Sequence, residues 1–395
     1  MTQKGKELLA LLGAAHSLNH SLFLIAPPLL LIIMANLNTS KFVLGTIGTI
    51  ASLIYGVGAL VGGPLADRIS ETKIIALALA LAGASTFVLI FARDFLVYAL
   101  ALFLMAAWAS LYHPVANSLI SKEFHENMGE AMGIHGVGGT VGVMFTPIVA
   151  FAIGVAVDWR LSFIVFGIFC IIIGIIISRN PTQTSRNNSN LGILQVFKIP
   201  GFLTILTFNI FIGLYMKGIE LFLPTYLTLR PFQSLGEGTA EFWAAAAATL
   251  VLASGVLGQW LGGRSADRVG SKKVLITVSA GIVASLLFLL FTPTAFAFAG
   301  VAAFIILYGL SFYGHQPALN SLTGILTPPE RRGAVYGVFF FTSFGLGSLS
   351  QAVTGYLMDT YSLNPEYSFY FLTVVAAIAL VLSIFIPDKR RNQTK

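Results

Sequence analysis

Long apolar runs alternate with short polar stretches along the whole chain, and this alternation predicts its architecture. The runs fall at roughly 8–34, 42–66, 73–92, 95–121, 129–156, 160–179, 200–229, 239–263, 273–292, 296–325, 333–358 and 367–387. Each is about as long as the 20-residue helix that crosses a bilayer. The pattern predicts twelve membrane-crossing helices, numbered here as spans 1 to 12. The most polar stretch, "SRNPTQTSRNNSN", lies between spans 6 and 7. It separates an N-terminal six-span unit (1–179) from a C-terminal one (199–395), with residues 180–198 as linker.

Composition fits this reading. Hydrophobic residues make up 56% of the 395 positions and charged residues only 10%, against about 25% charged in globular domains. The surface cannot be water-soluble, so the chain reads as an all-α membrane protein with the lipid bilayer as its surroundings. The single cysteine, Cys170, excludes an intrachain disulfide and a cysteine-based metal site, and it sits in an apolar run as a small packing residue. The first apolar run follows two lysines but is too long for a signal peptide and lacks a small-residue cleavage site, so it reads as a retained span.

Charge distribution sets the expected orientation. Eighteen Lys and Arg residues fall on the side of both termini and the linker, whereas only Lys41, Arg93, Arg160 and Arg230 fall on the other. The positive-inside rule then puts both termini in the cytoplasm. The same rule accounts for the net charge of +7, so no nucleic-acid partner is expected.

The two halves repeat. "GGPLADRISETKII" at 62–75 matches "GGRSADRVGSKKVL" at 262–275, and "HPVANSLI" at 113–120 matches "QPALNSLT" at 316–323. A parallel repeat of six spans implies two bundles facing one another across a central cavity. On these residues the chain resembles the major facilitator superfamily over nearly its whole length. The loops between spans 2–3 and 8–9 resemble the family's Gly-x-x-x-Asp-Arg signature. Gly263, Asp267 and Arg268 fit it, and so do Gly63, Asp67 and Arg68, although Ser70 stands where glycine is usual. The resemblance implies a conformational gate at these loops. The physical expectation is a tight turn whose aspartate faces a helix N-terminus. The first half further resembles the fosmidomycin-resistance subgroup of drug exporters through "AHSLNH" in span 1, "YHPVANS" in span 4 and "GEAMGIHGVGGTVGVMFTP" leading into span 5. His20 stands where that subgroup tends to carry an acid.

Polar residues inside spans mark the candidate site, because a charged group at the helix centre costs about 2.5–3.5 kcal/mol on insertion scales. His16, His20, His113, His135 and His315 fall in spans, while His125 lies in a loop beside Glu123 and Glu126 and reads as solvated. Span 7 adds Lys217 and Glu220. In the superfamily, spans 1, 4, 7 and 10 line the cavity, and here each carries a titratable group. His16 and His20 share a helix face, with Asn19 beside them, and His113 shares a face with Asn117. Pro114 should bend span 4 by clashing with the carbonyl of Ser110, which then needs a new donor, and a hydrated cavity could supply it. Pro317 predicts the same bend in span 10, where Gln316 takes the place of His113 and His315 is displaced by one residue.

Simpler roles stand beside these. His113 could stabilise its own kink, His135 could bond within the N-terminal bundle, and Lys217 with Glu220 could form a silent pair. Tyr55, Trp108, Tyr112, Tyr308 and Tyr313 either wall the cavity or pack between helices. The glycine-rich "GIHGVGGTVG" at 133–142 imitates a dinucleotide motif, but inside a membrane helix it reads as close packing through small residues. No motif for nucleotide binding, metal hydrolysis or nucleophilic catalysis occurs in a fitting context, so neither an enzyme nor a cofactor is expected. The expected function is a monomeric secondary transporter in a prokaryotic inner membrane. It would exchange protons for a small organic, anionic compound on export. The rivals are proton-coupled uptake of a carboxylate and transport of a divalent metal through the histidines. Nitrogen-only ligands would leave such a metal's charge largely uncompensated.

Overall fold

A computed structural model describes residues 3–66, 69–124, 128–179, 197–327 and 332–387. Asp67, Arg68, His125 and most of the 180–198 linker lie outside the described residues. The helices are α1 (Gln3–Leu24), α2 (Ala26–Asn36), α3 (Lys41–Ala66), α4 (Glu71–Ser85), α5 (Phe95–Ala109), α6 (Tyr112–Glu123), α7 (Met128–Met144), α8 (Thr146–Ala156) and α9 (Trp159–Ser178) in the first half. The second half holds α10 (Phe202–Leu229), α11 (Thr239–Val269), α12 (Ser271–Phe291), α13 (Ala297–Leu326), α14 (Arg332–Phe340), α15 (Leu349–Thr360) and α16 (Glu366–Ile384). Among the described residues, eleven segments are long and apolar enough to cross a membrane. The twelfth expected span, 333–358, is divided by a π-turn at Phe341–Gly345 and a 3-10 turn at Leu346–Ser348 into α14 and α15.

Proline explains where the first half breaks. Pro27 and Pro28 open α2, Pro114 lies in the first turn of α6, and Pro147 opens α8. Proline fits the first turn of a helix, where its missing N–H is not needed. Spans 1, 4 and 5 are therefore each two stacked pieces. The bend expected in span 4 occurs at Ser110–Leu111, and a Cβ on Gly62 of α3 would lie 2.5 Å from Pro114. At Pro317, by contrast, α13 runs unbroken through the proline. Glycine clamps α13 against α11: Gly255 underlies Tyr313, Gly258 meets the carbonyls of Gly309 and Leu310, and Gly262 meets the backbone of Gly314. A helix held this closely by its neighbour can lose one hydrogen bond at a proline without opening.

Polar contacts join the halves at the end that bears the 36–41 and 360–366 loops. Lys41 Nζ lies 3.4 Å from Asp359 Oδ1, while Asp359 Oδ2 accepts the Phe42 N–H at 2.7 Å. Deeper in the seam Thr49 Oγ1 donates to the Ser348 carbonyl at 2.7 Å. Gly45 and Gly56 admit the backbones of Gln351 and Gly345. At the same end Arg160 pairs with Asp158 at 3.1 Å and Arg230 with Glu366 at 3.2 Å. Three of the four basic residues that depart from the charge bias thus have acidic partners, which offsets their cost on that side.

Candidate functional site

Small residues bring α7 against α1. A Cβ on Gly138 would lie 3.0 Å from the Cα of Gly13, and one on Gly139 would overlap the His16 ring. With no Cβ in the way, the rings of His16 and His135 stack at 4.3 Å and 8°. This bears out close packing as the role of the 133–142 glycines at Gly138, Gly139 and Gly142, whereas Gly133 and Gly136 face open space.

Hydrogen bonds fix the tautomers of this stack. The Tyr112 hydroxyl donates its one proton to the Leu12 carbonyl at 2.6 Å, so at its 3.0 Å contact with His135 the donor is His135 Nε2. The His135 carbonyl can only accept, so His16 Nδ1 is the donor at 3.1 Å. Neutral imidazole has one donor and one acceptor nitrogen, which leaves His16 Nε2 with a free lone pair. His20 Nε2 and His113 Nε2 meet at 3.0 Å and share one proton between them. One ring nitrogen from each of His16, His20 and His113 lies within 4.8 Å of the other two. His113 is 6% exposed and His135 4%.

Asn19 has a structural task that sequence alone placed in the cavity. Its Nδ2 donates at 2.9 Å to the carbonyl of Ala109, the last residue of α5. Its Oδ1 accepts from the Tyr55 hydroxyl at 3.0 Å. The side chain of a neighbouring span thus supplies a donor at this break, one residue before the Ser110 carbonyl. Asn117, half-buried one turn after His113, makes no hydrogen bond among the described residues.

The second half approaches this cluster through aromatic rings. Phe340 stacks on His113 at 5.3 Å and on Phe344 at 5.6 Å. Lys217 Nζ sits 4.3 Å over the Phe344 ring and donates to both Glu220 carboxylate oxygens at 3.0 and 3.1 Å. The lysine side chain is 5% exposed and the glutamate 26%, so the carboxylate is the wetter end of the pair. The π-turn that carries Phe344 is held by Asn209, whose Nδ2 donates to the Phe339 carbonyl at 3.0 Å and to Thr342 Oγ1 at 3.1 Å.

His315 does not join the other histidines. Its Nδ1 donates to the carbonyl of Phe312 in its own helix, and its ring leans on that residue at 5.0 Å. Gln316 instead belongs to a thin polar bridge between the halves: its Oε1 accepts from Gln259 Nε2 at 3.3 Å, and Gln259 Oε1 accepts from Thr140 Oγ1 at 3.3 Å. Of the gate residues, Gly263 packs against Pro317. Asp267 and Arg268 are exposed on the last turn of α11, and the turn that follows is made by Gly270 at φ 94°. Asp267 caps no helix among the described residues; the N-cap of α12 is Gly270 itself. In the first loop Glu71, 1% exposed, pairs with Lys122 at 2.5 Å.

Sequence reasoning missed Phe340, Phe344, Lys41 and Asp359. Nothing in "VFFFTSFGLGSLS" announces an aromatic bridge, but Lys41 was visible as an exception to the charge bias. A shallow groove lined by Ala14, Ser17, Val137, Phe169 and Ile173 lies on the outer face of α1, α7 and α9. It is apolar, excludes every histidine and suits lipid chains better than a polar solute.

Residues 9–352 match the family model described as Major Facilitator Superfamily. The chain is 26% identical over 312 residues to the fosmidomycin resistance protein of Escherichia coli (strain K12), covering 74% of this chain and 71% of that one. It is 25% identical over 367 residues to the probable L-galactonate transporter of the same organism, covering 84% and 78%. A mutant form of the nucleoside transporter NupG superposes with a TM-score of 0.82 at 13% identity, over 96% of this chain and 99% of that chain. The fold, the repeat and these likenesses agree: the chain belongs to the major facilitator superfamily, a transporter rather than an enzyme.

Proposed function

We propose that the protein exports a small organic anion in exchange for protons, by alternating access of the 1–179 and 199–395 bundles around the His113–Phe340 contact. The observation that carries this reading is a cluster of four imidazoles in one half, linked through Phe340 and Phe344 to a buried ammonium in the other. Imidazole titrates near pH 6.5 and can release protons at physiological pH. Lys217 supplies the cation that an anion needs, and partly wet Glu220 is the group an incoming anion would displace. His16, His20 and His113 take the proton-carrying role, with Asn19 and His135 positioning them. Asn117, His315 and Gln316 are assigned to the cavity wall.

On this reading the protein is a monomer in a bacterial inner membrane with both termini cytoplasmic. The Lys41–Asp359 seam closes the outer end, and the loops at Gly63, Asp67, Arg68, Gly263, Asp267 and Arg268 latch the inner end when it shuts. Exposed Asp267 and Arg268 fit an unlatched state. Pro114 and Pro317 bend or relax as the bundles rock. The names of the two relatives supply the probes. In proteoliposomes with an internal pH dye, addition of fosmidomycin or L-galactonate should drive proton movement in the wild type and not in His113→Ala. Anion flux with no pH change, equal in both proteins, would overturn proton coupling.

A further inference from the structure

We propose that His16, His20 and His113 form a three-imidazole site for a borderline divalent metal ion of the zinc or cobalt class, with an anion in its fourth position. It shares its residues with the transport reading but does not depend on it. The donors are gathered already: one ring nitrogen of each residue lies within 4.8 Å of the others. His20 Nε2 and His113 Nε2 stand 3.0 Å apart around one proton; when a divalent ion enters, that proton moves to Nδ1 of the same ring, so both imidazoles stay neutral and both Nε2 lone pairs face the ion. The spacing then opens to about 3.3 Å, the tetrahedral edge for a metal–nitrogen distance of about 2.0–2.1 Å.

The second observation is the support behind His16. A metal-binding histidine usually donates its other ring N–H to a carbonyl or carboxylate, which fixes the tautomer and aims the lone pair. His16 Nδ1 does this to the His135 carbonyl at 3.1 Å, and the overlap a Cβ on Gly139 would cause keeps that ring place free only while position 139 is glycine. The objection is charge, since three neutral imidazoles compensate none of a 2+ ion. The nearby acid, Glu220, is committed to Lys217 at 3.0 Å. The anion must therefore arrive with the metal, and three protein ligands leave a tetrahedral ion one open position to receive it. This makes metal and anion binding mutually dependent.

The test uses tag-free, full-length protein in detergent, titrated with Co2+ and followed by its visible absorption, with azide as the probe anion. The wild type should bind one Co2+ with the intense bands of a tetrahedral ion. Azide should shift those bands and tighten binding at least fivefold, and a chelator should reverse both. His16→Gln, His20→Gln and His113→Gln should each weaken binding at least tenfold, while His315→Gln leaves it unchanged. Thermal melting of every variant identifies one that has merely unfolded. Absence of saturable binding in folded wild type, or binding indifferent to the three substitutions, overturns the site. Co2+ binding without proton movement on adding anions would keep the site and overturn the transport reading; the reverse result would overturn the site alone.

Discussion

The two halves descend from one pattern and differ in how they spend their polar residues. In the first, spans 1, 4 and 5 are broken at proline-bearing turns, and histidines from α1, α6 and α7 meet across the breaks. In the second, α10 and α13 run whole through Pro224 and Pro317, and the one histidine bonds to its own helix. A broken span turns side chains off the regular 3.6-residue repeat, so residues of different helices can converge; an unbroken one holds them to a fixed face. On the proposed reading the first half changes protonation, spans 7 and 10 of the second form a stiff frame that offers one cation, and its broken span 11 carries the aromatic bridge.

The largest effect should come from unpairing the frame's charge. Glu220→Gln leaves the 5% exposed Lys217 ammonium without its partner, and breaking a buried pair from one side costs about 3–5 kcal/mol. Lys217→Met leaves only the wetter carboxylate and should cost less. The double variant should recover most of the melting temperature in detergent without recovering transport. If Glu220→Gln proves as stable as the wild type, the ammonium is hydrated and the stiff-frame picture fails.

Removing the imidazole at the crossing point comes next. His113→Ala should slow proton-coupled transport about a hundredfold, the factor that ~2.8 kcal/mol of lost interaction produces. His315→Ala, its neighbour by sequence repeat, should change the rate less than threefold. Equal losses at the two positions would mean that the halves share the chemistry.

Much of this contrast was legible beforehand. Span limits, the two-half division and the i, i+4 pairing of His16 with His20 follow from period and spacing, which a helix preserves wherever it sits. The rotation of each helix about its own axis does not. Whether His315 faces the cavity depends on the glycine contacts of Gly255, Gly258 and Gly262 with α13, made some 50 residues away in sequence. The π-turn that aims Phe344 at Lys217 rests on Asn209, more than 130 residues earlier. Lys41 and Asp359 are 318 positions apart, and only the topology count hinted at the first of them.

The glycine clamp gives a third, smaller test. A Cβ at Gly262 would collide with the backbone of Gly314, so Gly262→Leu should lower stability by about 1–3 kcal/mol, the usual cost of overpacking. Gly136→Leu, with nothing within 4 Å, should leave the melting temperature unchanged. A reversed order would show that α7, not α13, is the tightly held helix.

The smallest effect belongs to the seam between the halves. Lys41–Asp359 is partly exposed at 13% and 27%, and such pairs contribute about 0.2–1 kcal/mol. Asp359 does more than pair, because it also accepts the N–H of Phe42 at 2.7 Å and of Lys41 at 3.3 Å. A carboxylate from the second half thus caps the first turn of α3 in the first, and loss of such a cap costs about 0.5–2 kcal/mol. Asp359→Ala should therefore open the seam more than Lys41→Met. Spin labels at Val157 and Leu363, both exposed near this end, would report the separation in a Cys170→Ser background. A loss of ~1 kcal/mol should raise the separated population about fivefold, and Lys41→Met should give about half that shift or less. If the order is reversed, the cross-half cap does not hold the seam, and closure rests on the Thr49–Ser348 bond and the glycine contacts below it.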